Sequence, residues 1–227
     1  MELVLLCIGA YLLGSVPAAY LLAKWFYHID IRQHGTGKTG ASNVYRTTSK
    51  WLAIPVALFD IGKGALMVWI AQLLGMGAVA QATVGLITIA GHNWSVFMGF
   101  RGGRGIFTSL GVITIICPWL GLVMLVTPYL FAPIRQVAFG VFLALGMLPF
   151  LSWFLYQPVG IAAGDRLPVT IGFIVLTLMA YTKRLATPRT EMGKSVPPLE
   201  LLFNRLLFDR DIRDAKLWTQ RKSQGQG

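Results

Sequence analysis

The chain has little acidic charge, few cysteines and few histidines. Of its 227 residues, nine are Asp or Glu, two are Cys and three are His. Cys7 and Cys117 each lie inside an apolar stretch, without CxxC spacing and with no His close in sequence. That pattern argues against a disulfide framework, a zinc site and a thiol nucleophile, and leaves both as small core residues. Charged residues make up only 13% of the chain, too few to clothe a soluble domain of this size. The spacings assemble no His/Asp/Ser triad, so covalent catalysis of that type is not expected.

What is abundant is hydrocarbon. Hydrophobic residues reach 55% and the mean hydropathy is +0.63, the composition of a protein whose solvent is mostly lipid. The formal net charge of +11 comes from cations flanking apolar spans, not from cations spread over a polar surface. It therefore points to a membrane surface and phosphorylated substrates and not to nucleic acid. The length suits one domain.

Apolar segments run over 3–23, 51–74, 78–97, 106–133, 137–156 and 168–181. The first lacks a preceding basic segment and an Ala-x-Ala exit, so a retained span is expected in place of a cleaved signal. Charge bias sorts the connections: the 24–50 loop holds Lys24, Arg32, Lys38, Arg46 and Lys50 against the single acid Asp30, whereas the 75–77 link has no charge. The loop is therefore cytoplasmic and the N-terminus outside. Crossing back delivers Arg101 and Arg104 to the same side. Pro118 and Pro128 interrupt the 106–133 stretch. A single crossing there would strand Arg135 and the ten-cation tail from Lys183 to Lys222 outside, and two short helices hinged near Pro118 return both to the cytoplasm. The expected fold is all-α and polytopic, with about seven membrane-embedded helices, some short or broken. An integral membrane domain covers 1–194 and an amphipathic cytoplasmic tail covers 195–227. In the tail, Leu199, Leu202, Phe203 and Leu206 share a helical face, with Arg205, Asp209, Arg213 and Lys216 away from it. This suits an interfacial helix, and a partner-binding helix is the equal alternative. The final SQGQG is expected to be disordered.

Two glycine-rich basic loops carry the chemistry. The first reads GTGKTGASNVYR: Gly35, Gly37 and Gly40 alternate with Thr36, Lys38, Thr39 and Ser42 and lead into Asn43 and Arg46. Hydroxyls, amides and two cations are what phosphate oxygens require. The second, GFRGGRG, packs Arg101 and Arg104 around Gly102 and Gly103 just before a helix start, where an anion meets helix N–H groups and a guanidinium together. Asp60 and Lys63 are three residues apart near the centre of a span. A lone charge there would cost at least ~2.5 kcal/mol, so pairing or an aqueous cavity is expected. His92, between Gly91 and Asn93, is read either as a base or as a hydrogen-bonding group.

These residues resemble a known family. LLGSVPAAYLLAK (12–24), DIRQHGTGKTGASNVYR (30–46), DIGKG (60–64) and GHNWSVFMGFRGGRG (91–105) are similar, in order and spacing, to the bacterial membrane acyl-phosphate:glycerol-3-phosphate acyltransferase family. The resemblance implies direct transfer of a fatty acyl group from acyl phosphate to the sn-1 hydroxyl of glycerol 3-phosphate. The products are lysophosphatidate and phosphate, in phospholipid synthesis at the bacterial cell membrane, with no cofactor or metal. It implies Asn43, Arg46, His92 and Arg104 as catalytic residues. Gly35, Thr36, Gly37, Lys38, Gly40, Ser42, Asp60, Lys63, Arg101, Gly102 and Gly103 are implied as phosphate-binding or supporting residues. The acyl chain is expected to enter from membrane lipid, between spans.

This chain departs from the family pattern at several positions. Thr36, Lys38 and Ser42 stand where the family usually has Ser, Asn and Thr; Ser95 stands for Pro; Arg101 and Arg104 stand for Lys. The third family motif expects His and Asn after the last span, and here YTKRLATPRTEMGK has neither, although Arg184, Arg189 and Glu191 are present. A catalytically altered relative that binds a phosphorylated lipid precursor or acts as a scaffold is therefore the alternative reading. An anion transporter would also use basic glycine loops and broken helices, but the chain shows no internal repeat.

Overall fold

The computed structural model describes residues 1–157 and 160–220, and among these it is all-helical. The Lys216 side chain and the SQGQG terminus lie outside the described residues. Two compact units, Met1–Ile116 and Cys117–Thr219, divide the described chain. The first unit contains α1 (Glu2–Ser15), α2 (Ala18–Tyr27), α3 (Ala41–Thr47), α4 (Lys50–Leu73), α5 (Ala78–Asn93) and α6 (Ile106–Ile116). The second contains α7 (Pro118–Leu130), α8 (Val137–Phe154), α9 (Arg166–Leu185), α10 (Glu191–Lys194), α11 (Pro198–Phe208) and α12 (Ala215–Gln220). Four stretches are long and apolar enough to cross a membrane: Glu2–Tyr27, Lys50–Leu73, Val137–Phe154 and Ala163–Leu185. With α5 and the shorter apolar helices α6 and α7, the described residues supply seven embedded helices, as expected. At about 17 and 20 Å, α6 and α7 fall short of a roughly 30 Å hydrocarbon core. Between them Cys117 is extended (φ −149°, ψ 99°), and Pro118 opens the new helix where its missing N–H costs nothing.

The first apolar run is not one helix. Pro17 cannot donate to the preceding turn and forces Val16 into extended backbone (φ −60°, ψ 117°), which breaks the run between α1 and α2. This break turns carbonyls sideways, and they are used by the site. The third apolar segment likewise ends early, at Asn93, followed by a short 3₁₀ turn at Val96–Met98.

Glycines set how closely the first unit's helices approach. Gly14 of α1 lies against the Thr88 carbonyl of α5, and Gly91 of α5 lies against the Tyr11 carbonyl of α1. Gly64 of α4 meets the Thr108 carbonyl of α6, and Gly111 of α6 meets the Ile61 carbonyl of α4. A methyl at any of the four would collide with backbone, so these seams are the close small-residue packing that lets helices associate in lipid. They matter for position: one fixes the end of α5 and the other fixes the start of α6, the two ends of the second glycine loop. A separate cluster of Ala19, Ala23, Ile31, Val44 and Val56, all buried, packs α2, α3 and α4 around the first loop.

In the second unit, α8 and α9 join through Leu145, Leu148, Phe173 and Leu176, all at most 1% exposed. Interhelical hydrogen bonds add to this: Thr177 Oγ1 donates to the Leu145 carbonyl and Tyr181 Oη to the Phe142 carbonyl, each at 2.8 Å. The tail packs on this pair and corrects one expectation. Leu199, Leu202 and Phe203 are indeed exposed together, but Arg205 is 7% exposed and faces protein. Its Nε donates to Asp211 at 2.7 Å, and its other nitrogens reach the carbonyls of Leu185, Thr187 and Pro188. A guanidinium has five donors in a fixed fork, and a turn leaving a helix presents carbonyls that need them. Asp211 also accepts from Thr190 N and Oγ1 at 2.8 and 2.7 Å. Burial pushes the Asp211 carboxyl up, but the hydrogen bonds from Arg205 and Thr190 outweigh it and hold the group below its ordinary value.

Candidate active site

The first loop is built around Asn43. Its side chain is 2% exposed; Nδ2 lies 3.0 to 3.1 Å from the carbonyls of Ile31, His34 and Lys38, and Oδ1 accepts from Thr36 N at 2.8 Å. One amide thus ties down four points of loop backbone. Gly35 (φ +57°) has no room for a Cβ beside Asn43 Oδ1, so glycine is required there for conformation and space alike. Asp30 caps the turn at Ile31–Gln33, accepting from Arg32 N at 2.9 Å and pairing with Arg32 Nη2 at 2.6 Å. The Arg32 hydrogen bond holds the Asp30 carboxyl below its usual range, against a smaller push from burial. Lys38 is half-buried, while Ser42 and Arg46 are exposed on α3, which starts after Gly40.

The second loop folds back on the end of α5. Gly102 N donates to the Asn93 carbonyl and Gly103 N to the His92 carbonyl, both at 3.2 Å. Phe100 adopts φ +61°, and the chain enters α6 at Ile106, directly after Arg104 and Gly105. Arg101 is exposed and Arg104 half-buried. The decisive contact is at Gly103, where a side-chain carbon would run into both the His92 ring at Nε2 and the Thr39 carbonyl. The two loops, far apart in sequence, therefore touch.

Beneath that junction lies a buried polar cluster from α4 and α5. Asp60 and Lys63 are each 3% exposed and His92 is 8% exposed. Lys63 Nζ lies 2.8 Å from Asp60 Oδ1, 2.9 Å from His92 Nδ1 and 3.3 Å from the Val16 carbonyl freed by the Pro17 break. The pairing expected for charges inside a span is thus present, and the charged atoms are engaged with each other below the surface. A small cleft opens above, bordered by Val16, Pro17, Thr39, Asp60, His92 and Ser95.

Several contributors carried little sequence signal. Ser95 Oγ donates to the Ser15 carbonyl at 2.5 Å, Ser15 Oγ to the Gly91 carbonyl at 3.3 Å, and Tyr11 Oη to the Trp94 carbonyl at 2.7 Å. These bonds stitch the broken end of α1 to the end of α5. Only the Ser-for-Pro departure at 95 hinted at them, since proline has no hydroxyl to donate. Of the residues around the third motif, Arg184 is 3% exposed and donates to the carbonyls of Leu206 and Ala138 at 2.6 and 3.0 Å, while Glu191 pairs with Lys194 on the surface. Arg184 thus ties α9 to α8 and α11.

Comparison with known proteins identifies the family. A family model described as glycerol-3-phosphate acyltransferase matches residues 4–190. Glycerol-3-phosphate acyltransferase 5 of Dehalococcoides mccartyi is 44% identical over 220 residues, covering 97% of this chain and 94% of that one. Glycerol-3-phosphate acyltransferase 4 from another strain is 44% identical, covering 95% and 92%. The crystal structure of PlsY, an integral membrane glycerol 3-phosphate acyltransferase, in its glycerol 3-phosphate form has a TM-score of 0.72 at 30% identity, over 82% of this chain and 89% of that one. Its lysophosphatidic acid form gives 0.69 at 30% identity, over 81% and 88%. With the glycine loops in place at the ends of membrane-embedded helices and the match running through most of the sequence, this chain belongs to the glycerol-3-phosphate acyltransferase family of multi-pass membrane proteins.

Proposed function

We propose that the chain transfers a fatty acyl group from acyl phosphate to the sn-1 hydroxyl of glycerol 3-phosphate. The observation that carries this reading is the meeting of the two loops where Gly103 lies close to the Thr39 carbonyl and the His92 ring, beside a cleft bordered by Thr39 and His92; the basic residues Lys38, Arg46, Arg101 and Arg104 belong to these same two loops. Two phosphorylated reactants need such a concentration of donors and cations. Relatives carrying this name, and the glycerol 3-phosphate and lysophosphatidic acid forms of PlsY, support the same substrates.

The reaction asks little covalent work of the protein. The glycerol hydroxyl oxygen bonds to the acyl carbon, the bond from that carbon to the phosphate oxygen breaks, and its electron pair leaves with phosphate. A phosphate oxygen takes the hydroxyl proton. Because the mixed anhydride is already activated, alignment and charge stabilisation supply the acceleration. Arg104 and the first N–H groups of α6 face the developing phosphate charge, Arg46 and Arg101 screen it, and Asn43 holds the first loop in shape. Asp60 and Lys63 support His92 from below. The acyl chain lies in lipid between spans. The charge bias of the 24–50 loop supports a cytoplasmic active site and tail in the bacterial cell membrane, with the N-terminus outside.

The test is formation of lysophosphatidate by purified, reconstituted protein given acyl phosphate and radiolabelled glycerol 3-phosphate. Turnover that falls at least 100-fold in Arg104→Ala supports the reading. Wild-type protein that binds glycerol 3-phosphate but never releases phosphate from acyl phosphate refutes it.

A further inference from the structure

The hydrogen-bond geometry around Lys63 bears on where the proton on His92 resides. A lysine ammonium has three N–H donors and no acceptor. Three acceptors surround Nζ: Asp60 Oδ1 at 2.8 Å, His92 Nδ1 at 2.9 Å and the Val16 carbonyl at 3.3 Å. Donor and acceptor counts match when Lys63 keeps its proton, as the far more basic group, and Nδ1 turns its lone pair toward it, which leaves the ring proton on Nε2. An imidazolium would press an N–H against the ammonium at 2.9 Å, two like charges in contact. A neutral lysine accepting from Nδ1 would leave the Asp60 carboxylate uncompensated if the ring were neutral, and would otherwise move the proton from an amine to a much weaker base. Asp60 Oδ1 is also farther from Nδ1, at 3.4 Å, than Nζ is. A carboxylate, an ammonium and a neutral imidazole sum to zero charge, the state that burial favours.

The other edge of the ring faces the junction of the glycine loops. Nε2 lies against Gly103, and the Thr39 carbonyl borders the same spot. We propose that His92 serves the reaction as a neutral hydrogen-bond donor through Nε2, its tautomer set by Lys63 with help from the carbonyl exposed at the Pro17 break, and that it does not remove the hydroxyl proton. The donor is aimed at an oxygen of the acyl phosphate, whose negative charge grows as the carbon–oxygen bond to phosphate breaks. Lys63 is a positioning residue and carries no substrate contact. This rests on the acyl-transfer reading above and deepens it.

Side-chain replacements separate a donor from a base. Gln places its amide nitrogen where Nε2 stood, whereas Asn reaches only the Nδ1 position. In the reconstituted assay, His92→Gln should keep kcat within about tenfold of wild type, while His92→Ala and His92→Asn lose about 100-fold with KM little changed. A base would be lost equally in all three, so His92→Gln as inactive as His92→Ala overturns the proposal. Nitrogen-15 NMR of histidine-labelled protein gives a readout independent of turnover, with the His92 signal identified by its loss in His92→Gln. It should report a neutral ring protonated on Nε2, and Lys63→Met should mix the two tautomers. An imidazolium or an Nδ1–H ring in the wild type at neutral pH overturns the proposal. Absence of wild-type turnover would instead refute the acyl-transfer reading, and the NMR result would still stand for or against the tautomer.

Discussion

Gly103→Ala places one methyl group at the single point where both loops and the His92 ring converge. The added carbon would collide with Nε2 of His92 and sit 2.8 Å from the Thr39 carbonyl oxygen. An ordinary contact needs about 3.5 Å. Thr39 would therefore have to withdraw by roughly 0.7 Å and His92 by more. Neither can move cheaply: the Thr39 carbonyl is backbone in a loop tied by Asn43, and the ring is held at Nδ1 by Lys63. Strain of this kind costs about 1–3 kcal/mol of stability. Displacing Arg104, the next residue, by about 1 Å should cost about 100-fold in turnover. The control is Gly62→Ala, one residue from Lys63 on α4, where nothing lies within 4 Å of the new methyl. It should keep wild-type turnover and gain about 0.5–1 kcal/mol from helix propensity. Steady-state acyl transfer with detergent-solubilised thermal unfolding measures both. Gly103→Ala with wild-type kcat and KM would refute the claim that the loop junction is the working site.

Three further outcomes follow from other contacts. Asn43→Asp keeps an acceptor for Thr36 N but sets oxygen against the carbonyls of Ile31, His34 and Lys38, so its activity should fall as far as that of Asn43→Ala; an Asp variant that stays active would show that the amide is not what shapes the loop. Asp60→Leu or Lys63→Met alone strands a buried charge and should destabilise by about 3–5 kcal/mol, while the Asp60→Leu/Lys63→Met pair should lose less than the sum, and strictly additive unfolding shifts would contradict the pairing. The depressed Asp211 carboxyl should stabilise the tail fully above the unfolded value near 3.8, with that contribution fading as pH falls through the lower folded value. Hydrogen-exchange protection factors over residues 185–193, taken against intrinsic rates at each pH, should therefore fall in acid in the wild type and already be low at neutral pH in Asp211→Asn. Protection that is unchanged by the variant would remove the clasp from the account.

Some of this was legible residue by residue. Pro118 announced the α6/α7 break because proline's lost donor acts locally, and Asp60 and Lys63 announced a pair because a span tolerates no lone charge. Asn43 was singled out for direct substrate contact, and the structure adds that its amide ties the backbone of its own loop, since counting its backbone partners requires coordinates. Pro17 carried a break signal inside a run read as continuous, because hydropathy averages over a proline that only its neighbours' carbonyls reveal. Arg205 was assigned to the outer face by helical spacing, which records which residues share a side but not which side meets protein.

Hydropathy, charge bias and the glycine-rich basic loops belong to the chain itself, so the sequence alone determined an all-helical membrane protein with short, broken helices and a basic glycine-rich loop at each of two span ends. Tertiary structure alone decided that those loops meet at Gly103, that Lys63 Nζ sits among Asp60, His92 and the Val16 carbonyl, and that Arg205 turns inward. Each of these depends on backbone atoms from helices distant in sequence, whose approach is set by glycine seams and buried hydrogen bonds that no local pattern encodes.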